Sequence, residues 1–263
     1  MTRKLREMTK IGLKLWSTNL DYIPAVQDLF GRKVFNYIEL FVVPGSLETM
    51  SRWKELGIPY VLHAPHSVAG FNPADPAKRH SNLEIVKQVE VFFHALSPEF
   101  LIFHPGLDGD PKEAVFQFRS FESRNPRMHQ KVILENKPLV GLRGERCLGA
   151  SPEEMQFLLH GTKYGFCLDF GHAICYSVAA RKIWKNVMAE FLTMDPAIYH
   201  LCDGFYSAED AHESLGSGKF DLPYLVGLIG QEKHVTLETP KTHPALLDDF
   251  LTDVQRLRGY SEV

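Results

Sequence analysis

The stretch HLCDGFYSAEDAHESLGSG, His200 to Gly218, carries two histidines and four carboxylates in a segment too rich in Gly, Ser and Ala for a core element. Solvation accounts for some of that polarity, as in most surface loops, and it suffices for Glu209 and Glu213. Asp210 and His212 are one residue apart, so an extended backbone would turn both side chains toward one ion. The Gly216-Ser217-Gly218 turn after them permits close backbone approach. Imidazole with carboxylate is the donor set of zinc, manganese or iron. Other residues of these types recur along the chain: His63 in VLHAPH, His104 in IFHPG, Glu135 in ILEN, Asp169 and His172 in LDFGH, and Glu238 in TLETP. Singly, each has a structural explanation, because a histidine leaving the core is commonly just hydrogen bonded. Together they would crowd carboxylates that cannot all stay ionised without a cation among them.

The elements that must hold these residues are short apolar runs: IGLKLW, YIELFVV, YVLHA, FLIFHPG, VILEN, GFCLDFGHA, IYHLCD and HVTLETP. They are continuous rather than alternating, as strands buried on both faces are, and helix-like stretches separate them. Eight such units in 263 residues predict an α/β fold, a (β/α)8 TIM barrel formed as a single domain over residues 1–263. An open doubly wound sheet is the competitor, but no G-x-G-x-x-G follows the first run. Two helix starts read as S-x-x-E capping boxes, Ser81–Glu84 and Ser151–Glu154, the second with Pro152 at the first helical position. In a barrel, strand C-terminal ends form the active-site mouth, and six of the eight runs end in His, Asp or Glu.

Composition agrees with a globular enzyme: 44% hydrophobic residues can fill a large core, and a net charge of -3 disfavours bulk-charge binding to nucleic acid. Cys147, Cys167, Cys175 and Cys202 have neither CxxC spacing nor the density of a disulfide scaffold. The basic start MTRKLREMTK precedes an apolar run interrupted by Lys14, too short for a signal peptide or a membrane span, so a cytoplasmic protein is expected.

The segments HAP, FHPG, LEN, CLDFGHA, HLCD, D-x-H and SLGSG, in this order, resemble those of endonuclease IV, the abasic-site endonuclease family within the xylose isomerase-like TIM-barrel superfamily. The resemblance runs from IGLKLW to LETP. It implies three zinc ions: one on His63, His104 and Glu135, one on Glu135, Asp169, His200 and Glu238, and one on His172, Asp210 and His212. It further implies phosphodiester hydrolysis through zinc-held hydroxide, with abasic-site DNA or a small phosphodiester or sugar phosphate as substrate. Glu135, Glu238 and His172 would carry the catalysis, and Lys137, Arg143, Arg146 and His66 would meet the phosphate, solvated loop charge being the other role open to the three basic side chains. The chain departs from that family at three loops: it has GLKLWSTN where the family opens with GAH, His66 where Tyr follows HAP, and VVPGSLETMSRW without the basic and aromatic DNA-contacting pattern. Those departures favour a small substrate. The rival is a sugar isomerase or epimerase of the same superfamily, resembling the chain through Glu135, Asp169, His200 and Glu238 only, with one Mn, Mg or Co and two glutamates as acid and base. A catalytically inert binding barrel is the third class, and it has no need of nine ligand residues.

Overall fold

The computed structural model describes residues 9–260; most of the basic start of the chain, and residues 261–263, fall outside them. Eight strands close a barrel in chain order: β1 (Lys10–Trp16), β2 (Tyr37–Phe41), β3 (Tyr60–His63), β4 (Leu101–Phe103), β5 (Val132–Glu135), β6 (Gly165–Asp169), β7 (Ile198–Leu201) and β8 (His234–Leu237). Every neighbouring pair is parallel, including β8 with β1. The closed sheet rules out the open doubly wound alternative. Among the described residues, no helix is long and apolar enough to cross a membrane.

Alternation along the strands divides the apolar residues into two populations. Leu40, Leu62, Leu134 and Leu168 face outward and pack under the surrounding helices, for example with Val86, Val89 and Phe92 of the helix Arg79–Leu96. Tyr37, Val61, Ile102, Ile133, Cys167 and Ile198 form a separate cluster inside the barrel. Side chains two residues apart share a strand face, so His63, His104, Glu135, Asp169 and His200 also point inward, one layer nearer the C-terminal mouth. Gly12 is needed at the floor, because a Cβ there would stand 2.4 Å from the Tyr37 ring.

The helix Pro152–Thr162 starts as its motif predicts: Ser151 Oγ accepts from the Glu154 amide at 3.1 Å. The box is only half made, since the Glu154 carboxylate turns to the Gly149 amide and to Arg146, each at 2.8 Å. The other expected start is displaced. Helix Arg79–Leu96 begins before Ser81, after a 3-10 turn Pro76–Lys78 whose Asp75 cap accepts from Ala77 N, so Ser81–Glu84 lies inside the helix. Pro76, with its fixed φ and missing N–H, places the start earlier than the S-x-x-E pattern does.

The polar loop after β7 is folded rather than merely solvated. Asp203 pairs with Glu213 through both backbone bonds at 2.9 Å, and its carboxylate accepts from the amides of Gly216 and Gly218. A Cβ at Gly218 would lie 2.4 Å from the Gly204 backbone, which is the close approach expected of the Gly-Ser-Gly turn.

Candidate metal centre

At the C-terminal mouth the strand-end side chains converge. His63 Nε2 and His104 Nε2 each stand 3.1 Å from Glu135 Oε2. The other Glu135 oxygen lies 3.2 Å from His172 Nδ1, so this buried carboxylate faces two groups of ligands. Asp210 Oδ2 is 3.2 Å from both His172 Nε2 and His212 Nε2, although the helix start after β6 supplies the first ring and the loop after β7 the other two residues. His63 with His104 and Glu135, and His172 with Asp210 and His212, are each close enough to hold one ion. Of the remaining quartet, Glu135 groups with Asp169 and His172 and also with His200 and Cys167, whereas Glu238 groups with His200 and Glu39.

The ring nitrogens fit a cation-binding role. His63, His172 and His212 each direct Nδ1 to a backbone carbonyl, of Ala64, Asn136 and Glu238 respectively, at 2.8, 2.9 and 3.0 Å. A carbonyl can only accept, so each Nδ1 carries hydrogen and Nε2 is left to face Glu135 from His63 and Asp210 from His172 and His212, although the Nδ1 of His172 also stands 3.2 Å from Glu135 and that of His212 3.7 Å from Glu238. His200 is turned the other way: Nε2 donates to Glu39 Oε2 at 2.9 Å. Its buried Nδ1 has no hydrogen-bond partner among the described residues, while oxygens of Glu238, Glu135 and Asp169 stand at 3.0, 3.5 and 3.9 Å. A buried nitrogen aimed at three carboxylates has the donor chemistry and surroundings to hold a divalent ion.

Electrostatics follow from burial against dense opposite charge. Burial would raise Glu135, but His104 and Lys137 outweigh it and hold the carboxyl well below its usual range. Burial dominates at Asp169 and pushes it up. Burial opposes charge on His172 and His212, yet Asp169 raises the first to about 10 and the Asp210 hydrogen bond helps raise the second to about 9. Without an ion these rings retain protons beside the carboxylates, and a divalent ion would displace those protons.

These groups, except the fully buried Asp169 and His200, line a cavity of about 1380 Å³, joined by Lys137, His66 and Arg143. Lys137 Nζ reaches to 3.3 Å from His172 Nε2 and 3.6 Å from Glu135 Oε1. His66 stacks on His104 with ring centroids 5.1 Å apart, and burial holds it down to about 3, hence neutral. Arg146 is not among the lining residues; its guanidinium is held by Glu154 on the flank.

A sequence profile of xylose isomerase-like TIM barrels matches residues 35–259. The chain belongs to that family. No curated protein matches it by sequence. Among solved structures, a D-tagatose 3-epimerase-like protein superposes with a TM-score of 0.72 at 19% identity, covering 97% of each chain. Endonuclease IV from Thermus thermophilus gives 0.65 at 19% identity over 96% of this chain and 99% of that one. A further protein of the same organism, soaked with ZnCl2, gives 0.67 at 19% identity over 95% and 98%. At such identity the likeness is one of fold.

This xylose isomerase-like barrel also holds two inward charges that its motifs do not mark, Lys14 on β1 and Glu39 on β2. Lys14 Nζ donates to Glu39 Oε1 and, at 2.5 Å, to Glu238 Oε1. Burial would raise Glu39, but His200 and Lys14 hold it down to about 2. The signal for both was a charge inside an otherwise apolar strand, IGLKLW and YIELF, which in a closed barrel can only face inward at that register.

Proposed function

We propose that this chain is a metal-dependent phosphodiesterase acting on a small phosphodiester that carries an apolar group. The observation that carries the reading is the His172–Asp210–His212 cluster, whose ligand atoms converge at 3.2 Å. A sugar isomerase working through Glu135, Asp169, His200 and Glu238 has no use for it. His63, His104 and Glu135 would hold one ion and His172, Asp210 and His212 another, with Asp169, His200 and Glu238 between them; the donor set suits zinc. Such ions, when bound, lower the pKa of water and neutralise phosphoryl oxygens.

The side chains then have separable tasks. Glu135 presents one oxygen to each flanking histidine group and so keeps them in register. Lys137 Nζ, mostly buried beside Glu135, is placed to donate to a phosphoryl oxygen, and Arg143 offers a second donor at the rim. His66 Nδ1 accepts from Val68 N, so its neutral ring carries hydrogen on Nε2 and can donate. Trp16, Val68, Val140 and Leu142 are exposed around the mouth, an apolar rim that would cover a small organic group and exclude water. Groove insertion into duplex DNA would instead call for basic and aromatic side chains there, so abasic-site DNA is expected to be the poorer substrate.

Lys14 gives the rival reading its best support, because an ammonium on Glu238 supplies charge that a second ion would otherwise bring. A single Mn or Mg on the central quartet with Glu135 and Glu238 as acid and base would then suffice for a ketose or sugar phosphate. The two separate on one experiment. Zinc-replete protein should hydrolyse bis(4-nitrophenyl) phosphate faster than it incises abasic duplex, and Asp210→Ala with His212→Ala should abolish both activities. Interconversion of ketoses by protein that leaves every phosphodiester intact, or full turnover in the double variant, would overturn the hydrolase reading.

A further inference from the structure

Glu39 is fully buried on β2 and joins four other polar side chains in a chain of hydrogen bonds. Its Oε2 accepts from His200 Nε2 at 2.9 Å and from Thr236 Oγ1 at 2.6 Å, and its Oε1 accepts from Lys14. Tyr37 OH closes the chain on Thr236 Oγ1 at 2.8 Å. Apart from His200, none of the four is among the strand-end residues that the motifs mark. A buried carboxylate is costly without such partners, and of these partners His200 is the one that also faces the central carboxylates.

We propose that Glu39 is the positioning residue of the central ion site, fixing His200 with hydrogen on Nε2 so that Nδ1 faces Glu135, Asp169 and Glu238 as a ligand. This rests on the metal-dependent reading above, though not on the phosphodiesterase chemistry. His200 presents Nδ1 as its ligand atom, whereas the carbonyl-bound rings of His63, His172 and His212 present Nε2. Among the described residues no backbone carbonyl is bonded to His200 Nε2, and Glu39, from a strand 161 residues away in sequence, takes that place instead. Lys14 prevents the carboxylate from being replaced by its amide. A glutamine at 39 would either set its NH2 against His200 Nε2, forcing the ring hydrogen to Nδ1, or set it against the Lys14 ammonium. The first orientation takes Nδ1 away from the ion, and the second opposes donor with donor.

The test uses the full chain loaded with zinc, or with cadmium-113 for NMR. In wild-type protein, imidazole nitrogen spectra should show His200 with hydrogen on Nε2 and metal coupling at Nδ1. Glu39→Gln should fold, lose one ion per chain by elemental analysis, and bind that ion about 10- to 100-fold more weakly. Thr236→Val, which removes another bond to the same carboxylate but leaves His200 its acceptor, should keep the wild-type metal content. Metal coupling at His200 Nε2, a Glu39→Gln protein with its full complement, or loss of an ion in Thr236→Val as well would each overturn the assignment. Wild-type protein that binds no ion would sink the metal reading itself, whereas protein that binds ions but leaves phosphodiesters uncut would sink the hydrolase reading alone.

Discussion

Inside the barrel, the floor and the mouth are built from the same strands two residues apart. Val61, Ile102, Ile133, Cys167 and Ile198 fill the floor, and His63, His104, Glu135, Asp169 and His200 stand directly above them. The floor is a closed, mainly apolar packing whose titratable groups, the Cys167 thiol and the Tyr37 phenol, are both pushed up by burial, the thiol to about 12. The mouth holds carboxylates, imidazoles and two lysines at 2.5–3.9 Å from one another. The difference teaches that the floor can be rigid without functional cost, while the mouth is held in place by the floor and is itself a concentration of charge. Stability should therefore reside in one layer and metal affinity in the other.

The largest effect is expected where the mouth is struck at its shared ligand. Glu135→Gln keeps the size of the side chain but removes the charge that faces both histidine groups. At least one ion should be lost and turnover should fall by about 10²- to 10³-fold, the usual scale for removing one preorganised charge. Elemental analysis and steady-state rates check this; a variant with full metal content and full turnover breaks the assignment of Glu135 as the bridge. Striking the floor beneath it should do the reverse. Ile133→Ala, two residues earlier and almost fully buried, should cost about 2–5 kcal/mol by urea denaturation and leave the number of bound ions unchanged. Loss of metal in proportion to stability would show that the two layers are not separable.

The smallest effect sharpens the contrast through pH. His172 and His212 are raised above their ordinary 6.5, to about 10 and about 9. In metal-free protein they therefore contribute stability that is complete below pH 6.5 and is lost as pH climbs through 9 to 10. Asp210 is held low by His172 against the opposing effect of burial, and its contribution, present above its ordinary 3.8, does not change over that window. Metal-free protein should lose several degrees of Tm between about pH 7 and pH 10. Zinc should flatten or invert the slope, because binding displaces the same protons and is favoured as pH rises. A metal-free protein whose Tm rises across this window would contradict the raised values.

Much of this was legible in the chain. Continuous apolar runs ending in His, Asp or Glu announced eight strands and the candidate ligands at their tips, because a strand buried on both faces must be apolar until it leaves the core. The D-x-H spacing announced a pair that could share one ion, because residues two apart on extended chain share a face. Arg146 was less legible: it stands three residues from Arg143 in one loop, yet Glu154 at the next helix start captures it away from the cavity.

By itself, then, the sequence determined the strands, their order and the chemical types gathered at one end, since these depend on local periodicity and on how the chain alternates strand with helix. Only the tertiary structure decided which charges meet. Lys14 reaches Glu238 across 224 positions, and Glu39 reaches His200 across 161. Those contacts exist because closing the barrel pairs β1 with β8 and brings the upper layer of inward side chains to a common axis. No local pattern encodes that closure, whose register sets every distance in the site.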